Sequence, residues 1–174
     1  MRHSVAFKSA TFPGLHPSRR GLIAGLVLGL ALAGAPAMAQ VPQMGLPTST
    51  VTVVTSDGKR HVFKVEIADT DMTRARGLMY RRQMDADAGM LFDYKFETET
   101  AFWMKNTLIP LDMIFIRADG TIANVAERAV PLDESSIPSA GAVRGVLEVN
   151  GGTAARLGIK AGDKVLNPIF GNAK

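Results

Sequence analysis

Cysteine is absent from this sequence, which excludes disulfide staples, thiolate metal sites, a cysteine nucleophile and thiol redox chemistry. Histidine is scarce. His3 and His16 lie near the amino terminus, so only His61 remains beyond residue 39. A multi-histidine zinc or copper centre within one chain is thereby excluded, as is the two-histidine facial triad. A Ser-His-Asp triad would have to use His61, and no G-x-S-x-G elbow occurs. At the start of an alternating segment, His61 reads as a half-buried strand residue. No internal repeat of roughly 20–50 residues is visible. No metal or cofactor is expected on these grounds.

Acidic residues are missing from the first 39 positions. Arg2, Lys8, Arg19 and Arg20 there precede an apolar run at 21–35 and the small-x-small triplet Ala37-Met38-Ala39. This is the layout of a removable export signal, with cleavage expected after Ala39. The apolar run is shorter than the roughly 20 residues of a spanning helix, so no stable membrane span is expected after signal removal. A periplasmic or secreted location follows as an expectation. Ser18-Arg19-Arg20-Gly21-Leu22-Ile23 also resembles a twin-arginine signal, but Ala24 stands where Lys is usual. The general export route is therefore the expectation and the twin-arginine route its alternative. The formal charge of +4 belongs to this segment. It holds four of the 20 basic residues, leaving residues 40–174 balanced at 16 of each sign. Net charge gives no warrant for nucleic-acid binding.

The remaining residues suffice for one domain with its own core. Residues 40–50 carry two prolines and no apolar period, and read as a flexible linker; 51–170 is the domain and 171–174 a tail. Val51–Thr55 is β-branched, Ser56-Asp57-Gly58-Lys59 is turn chemistry, and 60–67 alternates, predicting a β-hairpin. A helix is expected over 69–80, capped by Asp69 or Thr70, with Met72, Ala75 and Met79 on one face. Gly77 weakens a helix interior, and its expected use is close packing on a neighbouring strand. Arg74, Arg76, Arg81 and Arg82 could pair with Asp85 and Asp87, or form a cluster that grips an anion. Short strands are expected at 89–94, 100–104, 111–116, 121–126, 143–149 and 164–169. Residues 111–116 should be covered on both faces. A long loop is expected over 128–142 and a short helix over 154–157. This predicts a mainly β sandwich or barrel with two short helices.

The stretch 101–115 concentrates the chemistry. It holds the only Trp, Trp103, with Lys105 and Asn106 close by and Asp112 entering an apolar run. If 101–105 is a strand, Trp103 and Lys105 share a face. An indole flanked by an ammonium and an amide makes a platform for a sugar or another small polar ligand. The competing reading buries Trp103 in the core, leaves Lys105 at its rim and turns Asn106 onto its own backbone. Asp112 and Glu148 both interrupt apolar strands, so each needs a partner if buried. They read either as structural carboxylates or as a pair for hydrolysis or a hard cation. Met72, Met79, Met84, Met90, Met104 and Met113 could suggest Cu(I), but their spacing follows core positions.

Arg74-Ala75-Arg76-Gly77-Leu78-Met79-Tyr80-Arg81 resembles the R-x-x-G-L-M-x-R opening of the domain-of-unknown-function family numbered 192. Residues 103–112 fit that family's W-M-K-N-T-x-I-P-L-D core without a departure. Gly89-Met90-Leu91-Phe92, Leu147-Glu148 and Gly158-Ile159-Lys160-Ala161-Gly162-Asp163 match its other landmarks. The resemblance spans about 51–168 and implies a compact jelly-roll-like β fold, commonly exported. It implies no activity.

The combined expectation is an exported, non-enzymatic β-domain binding a small polar ligand or an envelope protein. Arg76, Trp103, Lys105, Asn106, Asp112 and Glu148 are its candidate binding residues. One alternative is a hydrolase or lyase of cell-envelope carbohydrate using Asp112 and Glu148. The other is a structural accessory protein without ligand chemistry.

Overall fold

The computed structural model describes residues 40–173; the expected export signal at 1–39, and Lys174, lie outside them. The predicted hairpin is present as β1 (Thr48–Val54) and β2 (Arg60–Ala68), with Val51 opposite Phe63 and Val53 opposite His61. From β2 the chain passes through α1 (Asp71–Arg76) into β3 (Ala88–Thr98), which runs parallel to β2. Then follow β4 (Ala101–Phe102), β5 (Leu111–Ile116), β6 (Ile122–Ala129), β7 (Ile137–Pro138) and β8 (Val143–Asn150). Helix α2 (Thr153–Leu157), β9 (Lys164–Leu166) and a 3-10 turn at Pro168–Phe170 complete the chain.

Seven strands form one mixed sheet in the order β6-β5-β8-β3-β2-β1-β9, and β4 pairs with β7 in a small ribbon. The sheet curls until its two edges touch at one end. There Ile122 N–H donates to the Asp163 carbonyl at 2.9 Å and Val165 N–H to that of Gly120 at 2.8 Å. The result is a half-barrel. The mainly β fold with two short helices is as expected, whereas a jelly-roll-like division into two packed sheets is not seen among the described residues.

The sheet is apolar on both faces. On one, Val53, Phe63, Leu91, Ile114 and Leu147 pack with Ala154 of α2 and Phe170. On the other, Met90, Phe92, Met113, Phe115 and Val146 pack with Leu78, Met104 and Ile109. Strand β5 is buried at all six positions, as its sequence, apolar apart from Asp112, predicted. Each fully buried side chain of this size contributes about 2 kcal/mol of transfer free energy, before the entropy of ordering it is counted.

Five sequence expectations are corrected. The helix expected over 69–80 covers only 71–76. It is capped by Thr70, and Gly77 ends it at φ +47°, where a Cβ would lie 3.2 Å from the Phe92 ring. The close approach expected of Gly77 is thus real, but it terminates the helix. Met72 is 81% exposed and no helical residue is buried; Leu78, just past the end, anchors the segment. The linker expected over 40–50 is partly built into the domain. Thr48 opens β1, and the Gln43 amide donates to the carbonyls of Thr73 and Gly77 at 3.0 and 2.9 Å. The loop expected over 128–142 contains β7, and the strand expected over 100–104 ends at Phe102, so Trp103 leaves the sheet. The arginines do not pair with Asp85 and Asp87: Arg74 meets Asp71, and Arg81 meets Glu66 at 2.6 Å.

Candidate functional site

A cavity of about 320 Å³ opens where the end of α1 approaches the segment after β4. Arg74 through Met79 form one wall, Ala101, Phe102, Trp103, Lys105 and Thr107 another. Phe92 and Tyr94 of β3 and Glu148 of β8 form the floor. Three local features create the space. Gly77 lets the chain turn away over Phe92 without a clash. Phe102 stays in the ribbon and packs edge-on against Phe92, with ring centroids 5.0 Å apart. Trp103, released from the strand, is left 49% exposed at the mouth. It is therefore not the core tryptophan of the competing reading.

The rim is cationic. Lys105 Nζ lies 5.0 Å from the Trp103 ring centroid and 3.4 Å from the Glu134 carboxylate. The Arg74 guanidinium stacks on Tyr94 at 5.1 Å, donates to the Asp93 carbonyl at 2.7 Å and bridges Asp71. Arg76 stacks on Tyr80 at 4.7 Å and donates to the Val41 carbonyl.

Glu148 is the exception on the floor. It is only 4% exposed, and among the described residues no hydrogen bond or ion pair is made to it. Burial pushes its carboxyl up to about 8, so it is mostly neutral at pH 7. Beside it, burial raises the Tyr94 phenol above its usual value, opposed by a 2.9 Å hydrogen bond to Thr100.

Asp112 occupies the opposite face. Along β5 it shares a side with Ile114 and Ile116, which belong to the other apolar layer. Glu148 lies across from Met113, on the layer with Val146. The sheet therefore separates the two carboxylates, and of their two readings the paired-carboxylate one does not form. Asp112 has a structural task instead. It accepts from the backbone N–H groups of Arg128, Gly152 and Ala154 at 2.7, 2.8 and 2.7 Å. It thereby ties the end of β6 to the start of α2 and satisfies helix N–H groups that lack partners within the helix. Asp163, another family landmark, likewise accepts from Ser56 and Lys160 N–H groups at 2.9 and 2.8 Å.

Arg76, Trp103, Lys105 and Glu148 are thus brought together; Asp112 and Asn106 are not among them. Asn106 sits at φ +56°, its carbonyl holding the Tyr80 N–H at 2.8 Å. It lines a second hollow, of about 610 Å³, together with Tyr80, Arg82, Leu108 and Leu132. His61 is half-buried as expected, with Nε2 unpaired. The sequence singled out Arg74 only as one of four arginines that could grip an anion, and it did not point to Phe92, Tyr94 or Phe102. The alternation of Met90, Phe92 and Tyr94 placed the last two on one side of β3. What was hidden is that β8 lies next to β3. Among the described residues no group of three His, Asp or Glu could hold a metal ion, and no helix is long and apolar enough to cross a membrane.

A family model, DUF192, described as "Uncharacterized ACR", matches residues 52–166. Two crystal structures are similar. One, from Sinorhizobium meliloti and described as a candidate transcription regulator, is 44% identical over 73% of this chain and 98% of its own, with TM-score 0.71. The other, a protein of unknown function from Novosphingobium aromaticivorans, is 48% identical over 78% of this chain and 94% of its own, with TM-score 0.69. No curated protein matches.

Proposed function

The chain belongs to the DUF192 family, and we propose that it is a binding domain for a small polar ligand, held in the Trp103 pocket and working outside the cytoplasm. One observation carries this reading: the lone tryptophan stands half-exposed at the mouth of a pocket whose floor holds an unpaired, buried carboxyl group. A protein does not ordinarily bury an unpartnered Glu for stability, because desolvation of such a group is costly. The pocket's size is that of small-molecule sites, and its aromatic walls with a few convergent polar groups match their usual composition. The location rests on the basic, apolar and small-x-small features of residues 1–39.

The carbohydrate hydrolase alternative loses its support, since Asp112 and Glu148 lie on opposite faces and Asp112 is consumed by backbone N–H groups. The regulator description of the Sinorhizobium protein has little to rest on here, given the charge balance of residues 40–174. A protein partner is the second reading, favoured by the exposed Leu108 and Leu132 around the hollow at Asn106.

Native mass spectrometry of protein purified from the periplasm, followed by a thermal-shift panel of sugars, amino acids and divalent metals, tests the proposal. At least one compound should raise the melting temperature, and Trp103→Ala should abolish that shift while keeping a folded circular-dichroism spectrum. No retained mass and no shift across the panel would refute the ligand reading. Absence of the protein from the periplasmic fraction would refute the location.

A further inference from the structure

The charged groups around the pocket are not arranged at random. From α1 come Arg74 and Arg76, from β3 Tyr94, from the segment after β4 Lys105, and from β8 Glu148. Arg74 is already matched by Asp71 and the Asp93 carbonyl, and Lys105 is partly matched by Glu134. Among the described residues Arg76 meets only neutral groups, the Val41 carbonyl and the Tyr80 ring, and so keeps an unbalanced positive charge at the rim. Glu148, on the floor, makes no hydrogen bond or ion pair among the described residues and shares the pocket lining with the rings of Phe92, Tyr94 and Phe102. Aromatic walls around a carboxylate favour a cation, through the ring quadrupoles and the charge together. A cationic rim favours an anion.

Building on the binding reading above, we propose that this pocket selects a small zwitterion, its ammonium set against Glu148 and its carboxylate held at the rim by Arg76 and Lys105. Binding then moves a proton. The empty pocket holds Glu148 in its neutral form at pH 7, because burial raises its carboxyl to about 8. The arriving ammonium stabilises the carboxylate, and the displaced proton leaves to bulk water. About one proton is released per ligand bound near pH 7, and affinity should fall about tenfold per pH unit between roughly pH 8 and 6.

The experiment is a titration followed by Trp103 emission, the protein's only indole fluorescence. The probes are β-alanine, γ-aminobutyrate and ε-aminocaproate, with caproate and hexylamine as single-charge controls. A zwitterion should bind at least about tenfold tighter than either control, a difference that one well-placed charge contact supplies. Calorimetry in two buffers of different ionisation enthalpy should register the released proton. Glu148→Gln should bring the zwitterion's affinity down to that of caproate and abolish proton release. Caproate binding as tightly as ε-aminocaproate, or affinity rising on acidification, would overturn the zwitterion assignment and leave a pocket for acids or neutral acceptors. No response to any probe would also overturn it, while the sugar, amino-acid and metal panel would still decide whether the pocket binds anything.

Discussion

Glu148→Gln tests the burial argument without any ligand. The glutamate carboxyl stands near 8 in the folded protein, against 4.5 for the free side chain. Between those values the native state binds more protons than the unfolded state, so stability falls as pH rises. The contribution is fully present below about pH 4.5 and is lost as pH climbs through 8. Each pH unit between the two values is equivalent to about 1.4 kcal/mol, so the whole window is worth on the order of 4–5 kcal/mol. Gln has nearly the same shape and never ionises. Urea unfolding of both proteins from pH 5 to 9 should therefore give similar stabilities at pH 5, with the variant ahead by several kcal/mol at pH 8.5. Other titrating groups are common to both and cancel in the difference. Parallel stability profiles across that range would refute the reasoning, because they would mean that Glu148 is solvated or paired in the native protein.

Three further outcomes are expected. Asp112→Ala leaves three backbone N–H groups without acceptors, which should cost about 3–5 kcal/mol by calorimetry while the pocket on the other face keeps its shape. Gly77→Ala places a methyl 3.2 Å from the Phe92 ring at a positive φ, and chemical denaturation should register a loss of about 1–3 kcal/mol. Burial works against the charge of Asp93, but Arg144 and the Lys95 N–H outweigh it and hold the carboxyl below its ordinary value. Its stabilisation is present above the unfolded value and lost as pH falls through the folded one, so on acidification from pH 6 to 2 thermal midpoints should fall more steeply for the native protein than for Asp93→Asn.

Most strands could be read directly, because alternation and β-branching report which side of a pleat is buried. The hairpin at Ser56–Lys59 and the doubly covered β5 were legible in this way. The end of α1 was not, since Met72, Ala75 and Met79 kept a helical period while Gly77, at positive φ, stopped the helix. At the site, Trp103 and Glu148 stood out as residues at odds with their surroundings, an indole in a polar break and a charge in an apolar strand. That Glu148 faces Trp103 while Asp112 faces away follows from strand parity and pairing order together. The first is written along the chain; the second depends on β8 inserting between β3 and β5, a long-range choice with no local signature. Tyr94 and Phe102 escaped notice for the same reason.

The anchoring of Gln43 and Val41 has a practical side. Shortening the protein to Val51, where the alternating pattern first becomes obvious, would remove three residues of β1 and strip α1 of the amide that holds its last turn. The Arg76 guanidinium would lose the one hydrogen bond it makes among the described residues and be held at the cavity mouth by the Tyr80 ring alone. A fragment cut there could keep its barrel and still bind nothing, so a recombinant version intended for ligand screening should begin no later than Gln40.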